Sequence, residues 1–249
     1  MGSSPQWDLL FLIFLLGAVM ISGTRTCNSW DAISDMESPT ISRGTGAIYS
    51  CDEIVLMGAP LGDSGAAILA KMISGTTHVK TLSLSYVSMS AAGARALASA
   101  LPLSRLTSLV INGDDIGDDG AVSIADALRD PRTSLSLLEL YETGITSRGA
   151  EAISQALYSF DKNDHGTMAS RVGGSMLTHL SLFGNSIQDE GASALGAALE
   201  FNRPLESLDL GGNAISSTGA TAIARGLAKS GEVNAFCQNY DKSYTHAFT

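Results

Sequence analysis

The chain has 249 residues, with 15 Lys and Arg against 25 Asp and Glu, a formal net charge of −10. That balance argues against a nucleic-acid binder, because neutralising phosphates needs a basic face. Charged residues make up only 16%, below the roughly one quarter that is usual, and the space is filled by Gly, Ser and Ala, as small helix contacts require.

Residues 1–23 are read first. Leu9 to Ile21 is an unbroken apolar run of 13 residues. It suits the core of a signal peptide and falls short of the ~20 residues a membrane span needs. Ser22 and Gly23 are small enough for a cleavage site. No Lys or Arg precedes the run and Asp8 abuts it, so an anchor retained over residues 9–23 and a buried helix stay open. Residues 24–50 are polar, with Pro39, Gly44 and Gly46 among scattered apolar residues such as Trp30 and Ile33. They are expected to form an N-terminal cap over the raw end of a core. A plastid transit sequence is the alternative; Asp31, Asp35 and Glu37 count against it.

From residue 51 one sentence is written six times. Its clearest copy runs from Leu177 to Leu199. Leu180 and Leu182 alternate as in a strand, Asn185 and Ile187 turn the chain, and Ala192, Leu195 and Leu199 recur at helical spacing. A Gly-Ala pair marks each helix start, at Gly65, Gly93, Gly120, Gly149, Gly191 and Gly219; the steps are 28, 27, 29, 42 and 28 residues. The strand pairs Ile54/Leu56, Leu82/Leu84, Leu109/Ile111, Leu138/Leu140, Leu180/Leu182 and Leu208/Leu210 are the predicted core. The long step contains an insertion near residues 158–175 that ends in Gly173-Gly174. The copies cover residues 51–229. Counting 28 from Leu205 reaches Val233 and predicts a last strand, with Phe236 in the place of Leu208. Residues 230–249 are expected to be a C-terminal cap or tail. One copy cannot bury its apolar face, but six stacked copies make one core.

This pattern resembles the leucine-rich repeats of the ribonuclease-inhibitor class. The resemblance implies an α/β solenoid, a horseshoe with a parallel concave sheet and outer helices. It also implies that the turn Asn bonds to neighbouring turns. The equivalent residues are Ala59, Val87, Asp114, Thr143, Asn185 and Asn213, so that ladder is expected only in the last two copies. Two residues before each marker Gly stand Asp63, Ala91, Asp118, Ser147, Asp189 and Ser217. Five of these six can accept from the free N–H groups of the helix they precede. A structural use discounts those acids as catalytic. The family also includes an activator of a nuclear GTPase, but no residue here matches its arginine.

Three cysteines remain. In an oxidising compartment Cys27 and Cys51 would staple the cap to the first repeat and leave Cys237 over; the alternative is that all three are unpaired. Within the insertion, Asp161, Asn163 and Gly166 resemble the first half of an EF-hand loop. Val172 stands where a bidentate Glu is required, so a plain polar loop is expected and no metal or other cofactor.

A catalytic reading is geometrically conceivable: His179 and Ser207 lie on adjacent strands, with Asp209 on the same face. No strained elbow or oxyanion donor accompanies them. The stronger reading is a non-catalytic module that binds a protein partner on its concave face. Its candidate residues are Tyr86, Glu139, Tyr141, Glu142, His179, Phe183 and Asp209: aromatics on a rigid sheet within an acidic rim. The acids favour a basic partner. A regulator of an enzyme, or less readily a hydrolase using His179, is the alternative. The compartment expected from residues 1–23 is the secretory lumen or the exterior.

Overall fold

The structure is a computed structural model. It describes residues 26–28, 51–75, 78–158, 175–202, 204–230 and 234–236. The leader, most of the expected N-terminal cap, the EF-hand-like insertion and the tail with Cys237 lie outside the described residues.

Strands and helices alternate. The strands are β1 (Thr26–Cys27), β2 (Glu53–Met57), β3 (Thr81–Ser85), β4 (Ser108–Asn112), β5 (Leu137–Tyr141), β6 (His179–Ser181), β7 (Ser207–Asp209) and β8 (Asn234–Phe236). The helices are α1 (Gly62–Ser74), α2 (Ala91–Ala100), α3 (Gly117–Leu128), α4 (Ser147–Leu157), α5 (Gln188–Leu199) and α6 (Ser217–Ser230). All eight strands form one sheet in chain order, every pair parallel. Each of the six helices links two consecutive strands, from α1 between β2 and β3 to α6 between β7 and β8. Neighbouring strands lie about 4.8 Å apart, whereas packed helices need about 8–10 Å. That difference in spacing favours a bend toward the sheet.

The expected core is the observed one. Ile54, Leu82, Leu109, Leu138 and Leu208 are fully buried, and Leu180 is 2% exposed. These residues face the helices, where Leu69, Leu97, Ile124, Ile153, Leu195 and Ile223 close the core. Alternation then leaves the other strand face without a layer upon it among the described residues. Between α5 and α6 the contact is closer still. A β-carbon on Gly196 would stand 2.5 Å from the carbonyl oxygen of Ala222, and one on Gly226 would run into the carbonyl of Gly196.

Cys27 and Cys51 form a disulfide, with Cα atoms 6.0 Å apart. It ties β1 to the entry of β2 and resolves the two sequence alternatives in favour of the staple. The final strand also forms, but Leu208 pairs with Ala235 and Asp209 with Phe236. Phe236 therefore takes the register of Asp209, one place from where counting puts it.

The turns carry two corrections. Asp63, Asp118 and Asp189 do not cap the helices that contain them; each reaches the next repeat. Asp63 accepts from Ser90 N (2.8 Å), Ser90 Oγ (2.7 Å) and Gly93 N (2.9 Å). Asp118 repeats this with Thr146 N, Thr146 Oγ1 and Gly149 N, and Asp189 with Ser216 N, Ser216 Oγ and Gly219 N. Ser90, Thr146 and Ser216 cap their own helices. The carboxylate needs room, and the marker glycines supply it: a β-carbon on Gly149 would lie 2.7 Å from Asp118 Oδ1.

The second correction concerns the Asn ladder, which is longer than the last two copies. Asn185 Oδ1 accepts from Thr143 N and Ile145 N, both at 3.0 Å, while its Nδ2 donates to the carbonyls of Leu140 and Leu182. Asn213 accepts from Ile187 N and donates to the carbonyls of Leu182 and Leu210. Asp114, 2% exposed, supplies the accepting half of the same bond set to Val87 N (3.1 Å) and Met89 N (2.9 Å). A carboxylate has no N–H to donate, so the half that reads carbonyls is absent there.

The Asp bridges predict acid sensitivity. At Asp63 the hydroxyl and N–H of Ser90 lower the pKa below its ordinary 3.8 against a smaller cost of burial. At Asp118 burial opposes the charge, but donors from Thr146, Arg148 and Gly149 together outweigh it. Their stabilisation is complete above 3.8 and is lost as pH falls through the lowered folded values. Asp118→Ala is expected to cost about 1 kcal/mol at neutral pH. Asp118→Asn keeps an acceptor for both N–H groups, costs less, and flattens the acid limb. Urea midpoints between pH 7 and pH 2 read both effects; an Asn variant with an unchanged acid limb would contradict the assignment.

Candidate functional site

The sheet face away from the helices carries no Lys or Arg among its described strand residues. Register places its side chains in rows. One row reads Glu53, Thr81, Ser108, Leu137, His179, Ser207. The next reads Val55, Ser83, Val110, Glu139, Ser181, Asp209. The third contains Met57, Ser85, Asn112 and Tyr141, and Phe183 follows β6 at the place of Tyr141. The early rows are small and plain; chemistry gathers over β5 to β7.

There the face sinks into a depression of about 370 Å³, lined by Glu139, Tyr141, His179, Leu180, Ser181, Phe183, Ser207 and Asp209. Tyr141 and Phe183 meet edge to face, with centroids 6.3 Å apart and planes at 76°. That arrangement suits the charge distribution of aromatic rings. The Tyr141 hydroxyl is pushed up to about 12, first by burial, then by its hydrogen bond to Glu139 and the charge of that carboxylate, against a bond with Ser181. The phenol is therefore protonated at any physiological pH. Ser181 Oγ donates to Asp209 Oδ2 at 3.4 Å, and Gly211 N donates to Asp209 Oδ1 at 2.9 Å. Asp209 is therefore held by two neutral donors.

Of the seven sequence candidates, Glu139, Tyr141, His179, Phe183 and Asp209 line this depression. Glu142 and Tyr86 do not; they belong to a neighbouring row. Two residues after the second core position of every repeat the backbone turns left-handed: Gly58 (φ 63°), Tyr86 (52°), Gly113 (67°), Glu142 (49°), Gly184 (71°) and Gly212 (69°). A Cβ makes that conformation costly, and four repeats use Gly. Tyr86 and Glu142 keep a side chain there. Each lies over the glycine of the next repeat. A β-carbon on Gly113 would strike the ring of Tyr86, and one on Gly184 would come within 2.7 Å of Glu142 Cγ. Tyr86 is 53% exposed and stands over repeat three, apart from the depression.

Sequence reasoning named Ser207 only in the catalytic reading and gave Ser181 no role. Ser181 is 6% exposed and sits at the floor between Glu139 and Asp209. Its signal was its register alone, halfway between two acids.

The geometry does not favour the serine hydrolase alternative. His179 Nδ1 bonds with Thr178 Oγ1 at 2.9 Å, where a triad needs a carboxylate. Asp209 is taken up by Ser181 and Gly211. Among the described residues no group of His, Cys, Asp or Glu is placed to hold a metal ion. No helix among them is long and apolar enough to cross a membrane.

These elements define a class: a parallel strand–helix solenoid that displays one side of its sheet. The comparisons with known proteins agree. The family model described as "Leucine Rich repeat" matches residues 105–125, 175–196 and 201–224. The chain is 34% identical to the ribonuclease inhibitor of Sus scrofa over 96 residues, 38% of this chain and 21% of that protein. It is 31% identical to "NACHT, LRR and PYD domains-containing protein 3" of Macaca mulatta over 145 residues, 57% of this chain and 13% of that one. A solved structure of "Leiomodin-1 Actin-Binding Site 2 (ABS2)" is 15% identical, with a TM-score of 0.37 over 72% of this chain and 82% of that chain. The chain carries leucine-rich repeats of the ribonuclease-inhibitor-like kind. It spans about a fifth or less of the length of these curated relatives.

The left-handed row supplies a test of strain. Glu142→Gly is expected to raise stability by about 1 kcal/mol, because Gly adopts φ of 49° without a Cβ clash. A urea midpoint that falls instead would show that the Glu142 stem over Gly184 outweighs the strain.

Proposed function

We propose that the chain is a non-catalytic module that holds a protein partner on the open, concave face of its sheet, centred on repeats four to six. The observation that carries this reading is the depression walled by Tyr141 and Phe183 and rimmed by Glu139 and Asp209. Aromatic anchors set in a pocket, on a backbone that cannot collapse around them, are the composition of an interface hot spot. The strained side chains of Tyr86 and Glu142 support it, since strain retained outside the core marks positions kept for function. The face bears acids and no Lys or Arg among its described strand residues, which suits a partner with a basic surface.

The partner is a protein in this reading, not a nucleic acid, and no cofactor is required. A second reading has the module regulate an enzyme. It is favoured by the 34% identity with a protein whose name states that it inhibits a ribonuclease. The two readings share the same face and differ in what occupies it.

Two experiments test the proposal. Affinity capture from a native extract is run with the chain as it stands and with Tyr141→Ala/Phe183→Ala, both checked for folding by circular dichroism. A partner bound only by the unsubstituted chain is expected, with affinity lowered about 100-fold by the double substitution. A partner retained equally by both moves the interface off this face, and a captured enzyme whose activity changes on binding favours the regulator.

The compartment forms part of the proposal. The Cys27–Cys51 disulfide suits an oxidising environment, which fits the signal reading of residues 1–23. The expected location is the secretory lumen or the exterior, with anchoring through residues 9–23 as the alternative. N-terminal sequencing of protein made in a secretory host decides between them. A start near Thr24 in the medium supports cleavage, an intact Met1 in the membrane fraction supports the anchor, and an intact Met1 in the cytosol overturns both.

A further inference from the structure

Acids on this molecule are treated in two ways. Away from the sheet face several are paired with cations: Asp126 with Arg129, Asp130 with Arg132, Asp118 and Asp119 with Arg148, and Glu200 with Lys229. On the sheet face, Glu139 and Asp209 have no cationic partner among the described residues. Asp209 is held in place by Ser181 Oγ and Gly211 N, and Glu139 lines the same depression beside Tyr141. Two carboxylates facing one depression lack only a positive charge.

Spacing narrows the chemistry of that charge. Glu139 pairs with Ser181, and Ser181 pairs with Asp209, so the two acids flank one strand. Their backbones are about 9.6 Å apart at two strand spacings. A lysine ammonium is a point charge and satisfies one side of such a gap. A guanidinium is planar, with five N–H donors spread along its edges, and reaches both sides at once. Its plane also stacks on aromatic rings, and Tyr141 and Phe183 stand at the same depression.

Resting on the docking reading above, we infer that the depression is an arginine pocket: one arginine side chain of the partner lies between Glu139 and Asp209, against Tyr141 and Phe183. Ser181 forms the floor, and its bond to Asp209 sets the carboxylate toward the incoming fork. The pocket then acts as the specificity element of a broader interface, since the remaining strands offer mostly small polar and aliphatic side chains.

The test uses three probes on the full chain: acetyl-Gly-Arg-Gly-amide and its lysine and citrulline counterparts, titrated at low salt and followed by backbone amide shifts. The arginine peptide is expected to bind about tenfold more tightly than the lysine one, with shifts centred on Ser181 and Gly211. Citrulline, isosteric and uncharged, is expected to show no saturable shift. Glu139→Gln/Asp209→Asn removes the arginine preference, while Glu53→Gln, an acid on the same face in the first repeat, leaves it. If the double variant does not fold, Asp209→Asn alone is read. Equal binding of arginine and lysine, an equal effect of Glu53→Gln, or no arginine binding overturns the pocket. The two levels separate cleanly. A protein partner lost on Tyr141→Ala/Phe183→Ala but kept by Glu139→Gln/Asp209→Asn leaves the docking face standing and removes the arginine. Selective arginine binding with no partner that needs the face does the reverse.

Discussion

The structure depends on how its turns are satisfied. Each repeat passes from strand to helix through a tight corner whose backbone groups lie between neighbouring repeats. A buried N–H or carbonyl without a partner costs about 1–3 kcal/mol, and six such corners would undo a stack of small helices. The neighbour supplies the partner. Asp63, Asp118 and Asp189 reach forward to the helix starts of repeats two, four and six. Asp114, Asn185 and Asn213 reach back from repeats three, five and six to the turns before them. The forward bridges therefore recur every two repeats, laid over the solenoid's period of one. The Gly-Ala marker serves both, giving room to a carboxylate in one repeat and to a neighbouring alanine in the next, as at Gly120 against Ala94.

The displayed face is a consequence of that economy. The paired Leu and Ile residues of the strands, Ile54/Leu56 to Leu208/Leu210, point to the helices, so the opposite face is left for display. Strand spacing fixes the distance between displayed side chains at about 4.8 Å, and a rigid backbone fixes their direction. Tyr141 and Phe183 meet edge to face because register puts them in the same place on adjacent repeats. The ordered entropy of such a surface has already been lost on folding, so a partner need not order it again.

Charge follows the same division. Surface ion pairs away from the sheet face are each worth little, since they are exposed and screened. On the sheet face Glu139 and Asp209 have no cationic partner among the described residues.

The residue order alone gave the repeat count, the strand cores, the helix starts and the face that would be displayed. Strand and helix periodicities are local, and Leu138/Leu140 or Gly149-Ala150 report them within one copy. The alternation also put Glu139, Tyr141, His179, Phe183 and Asp209 on one side. What lay beyond local spacing was anything done by one side chain to a backbone some 28 residues away. Asp118 reads as a helix-start residue of its own repeat, and only stacking shows that the Thr146 and Gly149 N–H groups are nearer to it. Asp114 reads as a lost Asn until the neighbour's N–H groups are in place. Tyr86 and Glu142 look like ordinary face residues because φ is not written in composition. The depression itself needed three strands at once: its floor is Ser181, a small residue whose meaning comes from the acids on either side.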